Sequence, residues 1–369
     1  MNAKKMLSMF DVQGSWRPLV DRAKARIGTI LQEGRFVLGP FTQELEEKFA
    51  RSLGVDRASA VSSGTSGLYL ALKALDIGPG DEVITTPMSF IATVHAILLS
   101  GARPVLADID PDHLGLSPDT IAPKITEKTR AVILVHLFGN PAPAEEIVQL
   151  LTPKGIALIE DACQSFGAKR NGKSVGSIGA FGVFSFYPTK NLGGAGDGGM
   201  VVTSDEVLHA RIRSLKLHGE TAERSFGSLG INGRMDEIQA ALILLRLEEF
   251  EREAKKRVML GRLYREMLGG LVGLQTPIEG SEPLWHLFSV RLQERDRIRD
   301  ALALRGIQTG VYYPLPFHKI PHLMPYFLGD RLEAAEALAS SVLQMPLHPG
   351  MEEEDVVFAA SALLAALRP

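Results

Sequence analysis

Apolar residues along this chain change their spacing again and again, and the changes come in a regular order. Leu19, Ala23, Ile27 and Ile30 recur at the spacing of one helix face, and that run stops near Gly34. Leu45, Phe49 and Leu53 mark a second helical face. Short apolar runs follow at Val83 to Thr86, Pro104 to Ala107, Ala131 to Val135 and Ile156 to Glu160, with helical spacing between them. This alternation predicts an α/β architecture, a mostly parallel central sheet flanked by helices. Ligands of such a sheet lie beyond the carboxyl ends of its strands. After Met200 to Thr203 and a helix from about Asp205, a long helical pattern runs from Met235 to Leu268. It is expected to bridge a large domain, 1–245, to a smaller C-terminal α/β domain, 246–369. In the second we expect a strand around His286 to Leu292, a helix after Arg295, a strand near Ile307 to Val311, and helices at Leu332 to Leu338 and Glu353 to Leu367.

Composition narrows the function classes. The 369 residues are 45% hydrophobic and 22% charged, enough for a buried core in a water-soluble protein. A net charge of −3 predicts no attraction to nucleic acid or to an anionic membrane, and no apolar run reaches spanning length. The stretch Met1 to Phe10 has lysines but only a short apolar patch, so no signal peptide is expected and a cytoplasmic location is. The single cysteine, Cys163, excludes an internal disulfide and offers no cysteine-based metal site.

The most chemical stretch is Phe181-Gly-Val-Phe-Ser-Phe-Tyr-Pro-Thr-Lys190-Asn-Leu-Gly-Gly, an apolar strand that delivers one lysine into a glycine-rich loop. An amine held against phenyl surface loses hydration, which lowers its pKa and frees the lone pair that attacks an aldehyde. Ser62-Ser-Gly-Thr-Ser-Gly67 opens a helix, where free N–H groups and the positive helix end suit a phosphate or make an ordinary cap. In Ile156-Ala-Leu-Ile-Glu-Asp161-Ala-Cys-Gln164 an acid ends a buried strand, either capped or paired, or placed to keep a pyridinium nitrogen protonated, with Gln164 beside a ring substituent. Phe90, in Pro87-Met-Ser-Phe90, is a core residue or a face for a flat cofactor. The turn Gly230-Ile-Asn232-Gly-Arg234-Met-Asp-Glu-Ile-Gln239 either brings Asn and Arg to an anion or simply starts the long helix. Gly194-Ala-Gly-Asp-Gly-Gly199 satisfies the letters of a dinucleotide fingerprint, but a strand-like run follows it where the fingerprint needs a helix, so nicotinamide and flavin are rejected.

Together with Gly34-Arg-Phe-Val-Leu-Gly39, Val135-His-Leu-Phe-Gly139 and Gln344-Met-Pro-Leu-His348-Pro, these motifs resemble the DegT-like nucleotide-sugar aminotransferases, over essentially the whole chain. The resemblance implies the aspartate-aminotransferase arrangement, fold type I, and pyridoxal 5'-phosphate (PLP) as cofactor. It implies Lys190 as the Schiff-base lysine, Asp161 on the pyridine nitrogen, Gln164 on the ring oxygen and Phe90 on the ring face. Gly64, Thr65, Ser66 and Ser185 are then the phosphate site. Asn232 is expected to reach the phosphate of a neighbouring subunit, which implies a homodimer with shared active sites. The expected reaction moves an amino group from glutamate to a keto-sugar nucleotide, with a UDP- or dTDP-linked 3-keto hexose favoured by the Asp236 to Gln239 pattern. The alternatives are a 4-keto sugar nucleotide, a cyclitol, or a silent PLP-binding regulator. Tyr187, His218, Arg234, Tyr313 and His318 are candidate substrate contacts. Two departures touch substrate fit: Tyr312-Tyr313-Pro314 stands where many relatives have His-Tyr-Pro, and Gly194-Ala195 where a bulkier residue is common.

Overall fold

Seven strands form one sheet in the order Arg57–Val61, Gly199–Thr203, Phe181–Ser185, Ala157–Asp161, Thr129–Val135, Glu82–Thr85 and Arg103–Leu106 in this computed structural model, which describes residues 6–327, 329 and 331–368. The last five strands of that order run parallel, and Gly199–Thr203 runs against both its neighbours. Residues 1–5, the first half of the stretch read for a signal peptide, lie outside the described residues. Among those described, no helix is long and apolar enough to cross a membrane.

Apolar strands buried on both faces need a helical layer on each side. The Gly64–Ala74 and Ala92–Ser100 helices cover one face, where Leu68, Leu72 and Ile97 meet Val83, Ile133 and Val183. On another side Phe49, Phe166, Phe184 and Phe186 form an aromatic knot with ring centroids 4.8–5.9 Å apart. The helix Val20–Glu33 ends at Gly34 with φ 69°, a left-handed stop that glycine adopts without strain.

The long helix Glu237–Leu268 serves two cores. Its first half gives Ala240, Ile243 and Leu244 to the aromatic knot, and its second half gives Leu260, Tyr264 and Leu268 to a cluster with Phe288, Leu343 and Leu363. That second cluster surrounds a three-stranded sheet, Gly273–Leu274, Phe288–Arg291 and Val342–Met345. The segment 307–311, expected as a strand, makes single bridges only, Ile307 to Leu7 and Gly310 to Gln344. It passes between two partners and stays with neither long enough to build a ladder. Val342–Met345, which pairs in its place with Phe288–Arg291, was not expected from the spacing.

Candidate active site

A cavity of ≈ 850 Å³ opens where the parallel strands end. Gly64, Thr65, Phe90, Asp161, Gln164, Ser185, Tyr187, Lys190 and Tyr313 all line it, so most of the residues singled out in the sequence converge there. Asp161 ends its strand and Ser185 ends the neighbouring one, because parallel strands in register deliver their last residues to a common edge.

Lys190 sits on a tight curl beyond the Phe181–Ser185 strand. Its amide donates to the Tyr187 carbonyl at 2.8 Å and the Gly194 amide to the Phe186 carbonyl at 2.7 Å. A side chain at Gly193 would lie 2.3 Å from the Pro188 carbonyl oxygen, so the curl requires glycine there. Asn191 pins the curl from behind, donating to the Leu284 carbonyl at 2.9 Å. Burial pushes the Lys190 amine below its ordinary range, and the negative charge of Asp161 opposes that shift.

Asp161 accepts from the Thr93 hydroxyl at 2.8 Å and from the Cys163 amide at 3.2 Å. It makes no ion pair among the described residues, which leaves its charge for a ligand. Gln164 is fixed from both ends: its oxygen accepts from the Phe138 amide at 2.9 Å and its nitrogen donates to the Tyr313 hydroxyl at 3.1 Å. Phe90 is 56% exposed, and its ring is a wall of the cavity rather than part of a core. The two readings of Ser62 to Gly67 turn out to be compatible. Ser63 and Ser66 form a reciprocal capping box, so the Ser66 hydroxyl is engaged by the cap, while Gly64 and Thr65 of the same first turn face the cavity. Helix geometry leaves first-turn amides without a helical acceptor, as an anion site needs. A side chain at Gly64 would lie 2.7 Å from Cys163 Sγ, so the approach of this turn to the floor also depends on glycine.

The remaining candidates lie elsewhere. Arg234 lines a second cavity of ≈ 660 Å³ with Phe36, Ser62 and Gln239, and its buried Nε has no hydrogen-bond partner among the described residues. Asp197 lines both cavities and so marks where they adjoin. Asn232 is bridged to Leu217 and the His218 amide donates to the Ile231 carbonyl, which places both in the turn beside that second cavity's Arg234 and outside the first cavity's lining. His318 turns to Glu336 at 2.9 Å, also outside the lining. Sequence reasoning missed His286, which lines the cavity with an Nδ1 that has no partner among the described residues and whose basicity is suppressed by burial and then by the charges of Lys190 and Arg257. It missed Ser89 and Thr93 as well. His286 carries no local signal; its place depends on the Leu284 and His286 amides that donate to Gly139 and Phe138.

A lowered-pKa lysine, a strand-end carboxylate, an exposed phenyl face and a glycine-built helix start around one cavity fit pyridoxal phosphate, and they define a PLP-dependent transaminase of fold type I. The chain belongs to the DegT/DnrJ/EryC1/StrS aminotransferase family, whose model matches residues 19–363. It is 38% identical, over the whole of both chains, to the UDP-N-acetyl-3-dehydro-alpha-D-glucosamine 3-aminotransferase of Acidithiobacillus ferrooxidans. It is 39% identical to the dTDP-3-amino-3,4,6-trideoxy-alpha-D-glucose transaminase of Streptomyces venezuelae, over 93% of this chain and 91% of that one. The crystal structure of S. venezuelae DesV in complex with a ketimine intermediate superposes with a TM-score of 0.95 at 37% identity, covering 99% of both chains. Other solved neighbours are described in PLP and pyridoxamine-phosphate forms, and PLP is the cofactor of this aminotransferase.

Proposed function

We propose that this enzyme transfers the amino group of glutamate to C3 of a UDP- or dTDP-linked 3-keto hexose, in the cytoplasm, as a step of amino-sugar or polysaccharide synthesis. What carries the reading is that two relatives similar over nearly their full length are both named for an amino group at position 3 of a nucleotide sugar.

When bound, PLP supplies the electron sink that lets an amino group leave one carbon and join another in two half-reactions. The protein supplies position and protons. Lys190 Nζ would be the attachment point, where burial shifts the amine toward its neutral, nucleophilic form, and the same amine would hold the proton that leaves the donor's Cα. Asp161 would accept a hydrogen bond from the protonated ring nitrogen, Gln164 would reach the ring oxygen, and Phe90 would cover one face. Gly64, Thr65 and Ser185 would hold the phosphate, with Ser66 acting through the helix cap. Tyr187 and Tyr313 line the same cavity and would contact the sugar.

The charge of the cavity supports a shared site. Lys190 is the one cation among the described residues that line it, beside Asp161 and Asp197. Glutamate carries two carboxylates and a nucleotide sugar a diphosphate, so a second source of positive charge or N–H donors is needed. Arg234 lines the adjoining cavity with Phe36 of the exposed apolar run Phe36, Val37 and Leu38, and Asn232 and His218 belong to the turn just before Arg234. In a homodimer these residues would face the partner's cofactor phosphate and substrate. His318, tied to Glu336, contributes to the edge of the substrate region rather than to its lining.

Purified enzyme offered glutamate with 3-keto and with 4-keto nucleotide sugars, read by mass spectrometry, tests the proposal. Amination at C3 is expected. Amination at C4 alone, or of a cyclitol alone, replaces the substrate and leaves the transaminase intact; bound PLP with no turnover on any keto acceptor makes the chain a regulatory member.

A further inference from the structure

Asp161 does not stand alone behind the ring site; two buried hydroxyls lead into it. Ser89, Thr93 and Asp161 are 3%, 1% and 5% exposed. Thr93 Oγ1 lies 2.8 Å from Asp161 Oδ2, and Ser89 Oγ lies 3.0 Å from Thr93 Oγ1. The direction of the chain follows from counting protons. A carboxylate only accepts, so the single Thr93 hydroxyl proton is committed to Asp161. The Thr93 oxygen then accepts, and Ser89 donates to it. The other Asp161 oxygen takes the Cys163 amide at 3.2 Å.

We propose that Ser89 and Thr93 form a polarised hydroxyl relay that keeps the shared proton on the cofactor's ring nitrogen rather than on Asp161. The proposal rests on the assignment of Asp161 to that nitrogen. A hydrogen bond donated to the ionised form of an acid stabilises that form and lowers its affinity for a proton. At so buried a position the effect is stronger than in water. A proton between a pyridine nitrogen and a carboxylate sits on whichever holds it better, so each donor on Asp161 moves it toward the ring. The electron sink depends on that protonated nitrogen. Thr93 is also the second residue of the Ala92–Ser100 helix, so the helix's positive end adds to the same stabilisation.

The arrangement couples two contacts. Phe90 lies between Ser89 and Thr93 in sequence, and its carbonyl accepts from the Thr93 amide at 3.1 Å. One turn therefore presents a phenyl ring to the cofactor face and a hydroxyl to the carboxylate at its edge. Ser89 and Thr93 are positioning residues: they act through Asp161.

The test uses holoenzyme reconstituted with PLP labelled with 15N at the ring nitrogen, in the wild type, Thr93→Val, Thr93→Ser, Ser89→Ala and Asp161→Asn, with the 15N shift and the cofactor dissociation constant as readouts. Thr93→Val keeps the branched shape and removes the donor. Its ring nitrogen should move toward the neutral-pyridine position, with about tenfold or greater loss of kcat, the size expected for one hydrogen bond to a charged group. Thr93→Ser should restore the wild-type shift, and Ser89→Ala should give a smaller displacement in the same direction. If Thr93→Val does not fold, Ser89→Ala against Thr93→Ser decides the matter. A wild-type shift in Thr93→Val, or in Ser89→Ala where that variant decides, overturns the relay while a displaced signal in Asp161→Asn preserves the assignment of Asp161. A neutral ring nitrogen in the wild type, or no change in Asp161→Asn, removes that assignment and the relay with it.

Discussion

Gln164 Nε2 donates to the Tyr313 hydroxyl at 3.1 Å, which ties the end of the central sheet directly to the C-terminal third of the chain. Burial, the main influence on Tyr313, keeps its hydroxyl protonated well beyond its ordinary range, so it is available as a neutral partner at any working pH. Tyr313→Phe leaves the Gln164 amide without this acceptor. Cofactor affinity should fall about two- to tenfold, the worth of one neutral hydrogen bond, with an unchanged circular dichroism spectrum. Equilibrium dialysis against PLP measures it, and unchanged affinity detaches Tyr313 from the ring site.

Lys190→Ala should abolish covalent attachment of the cofactor and lower turnover by about 10²–10⁴-fold or more, because in the proposed roles it removes both the attachment point and the proton carrier. Borohydride reduction followed by peptide mapping should label the Lys190 peptide in the wild type. Label on any other lysine sinks the assignment.

Glu160, next to Asp161 on the same strand, points the other way into a dry pocket. Burial alone would raise its pKa. The His136 ring at 3.0 Å and the Gly176 and Gly179 amides at 2.8 Å outweigh burial and hold the carboxyl below its ordinary range. His136 Nδ1 accepts from the Ala142 amide, so its proton sits on Nε2 and donates to Glu160. A depressed folded-state pKa means the contribution to stability is present above the unfolded value, near 4.5, and is lost as pH falls through the folded value. Glu160→Gln should cost ~1–3 kcal/mol at neutral pH and flatten the dependence of stability on pH below about 4.5. Urea midpoints across that range decide; parallel curves for variant and wild type would exclude the effect.

The Cys163 thiol is pushed well above its usual range, by burial first and then by the Asp161 charge. A thiol so shifted carries little thiolate at neutral pH and reacts slowly. Native apoenzyme at pH 8 should react with a disulfide reagent about tenfold or more slowly than the urea-unfolded chain. Equal rates would mean that neither burial nor the Asp161 charge suppresses the thiolate.

The turn before the long helix illustrates a pattern with two uses. Glu237 is buried and accepts from the Gly39 amide at 2.9 Å and the Thr42 hydroxyl at 2.6 Å, serving as the N-terminal anion for the separate helix Pro40–Leu53. Gln239 accepts from the Ala195 amide and donates to the Asp197 carbonyl, holding the loop beyond Lys190. The Asp236 to Gln239 pattern that suggested a C3 acceptor therefore has a structural task of its own, beside its place in the lining of the second cavity.

The parallel sheet, the long helix, and Lys190, Asp161, Gln164 and the Gly64 helix start as candidate site residues were all legible in the chain's letters. These are local: helix and strand periods repeat within a few residues, and a strand-end acid or a lysine in a glycine loop is written in adjacent letters. Tertiary structure decided which residues share the cavity. His286 and Tyr313 come from more than a hundred residues beyond Asp161, and only the packing of the second core brings them in. Thr93 and Ser89 read as ordinary small polar residues until the Ala92–Ser100 helix sets one hydroxyl 2.8 Å from a carboxylate. The segment 307–311 has strand letters but meets a partner at only one residue on each side, since a strand exists only where a neighbour runs alongside it. Side-chain period is a property of the chain, whereas hydrogen-bond partners across long separations are a property of the folded surface, and the cavity at the strand ends depends on both.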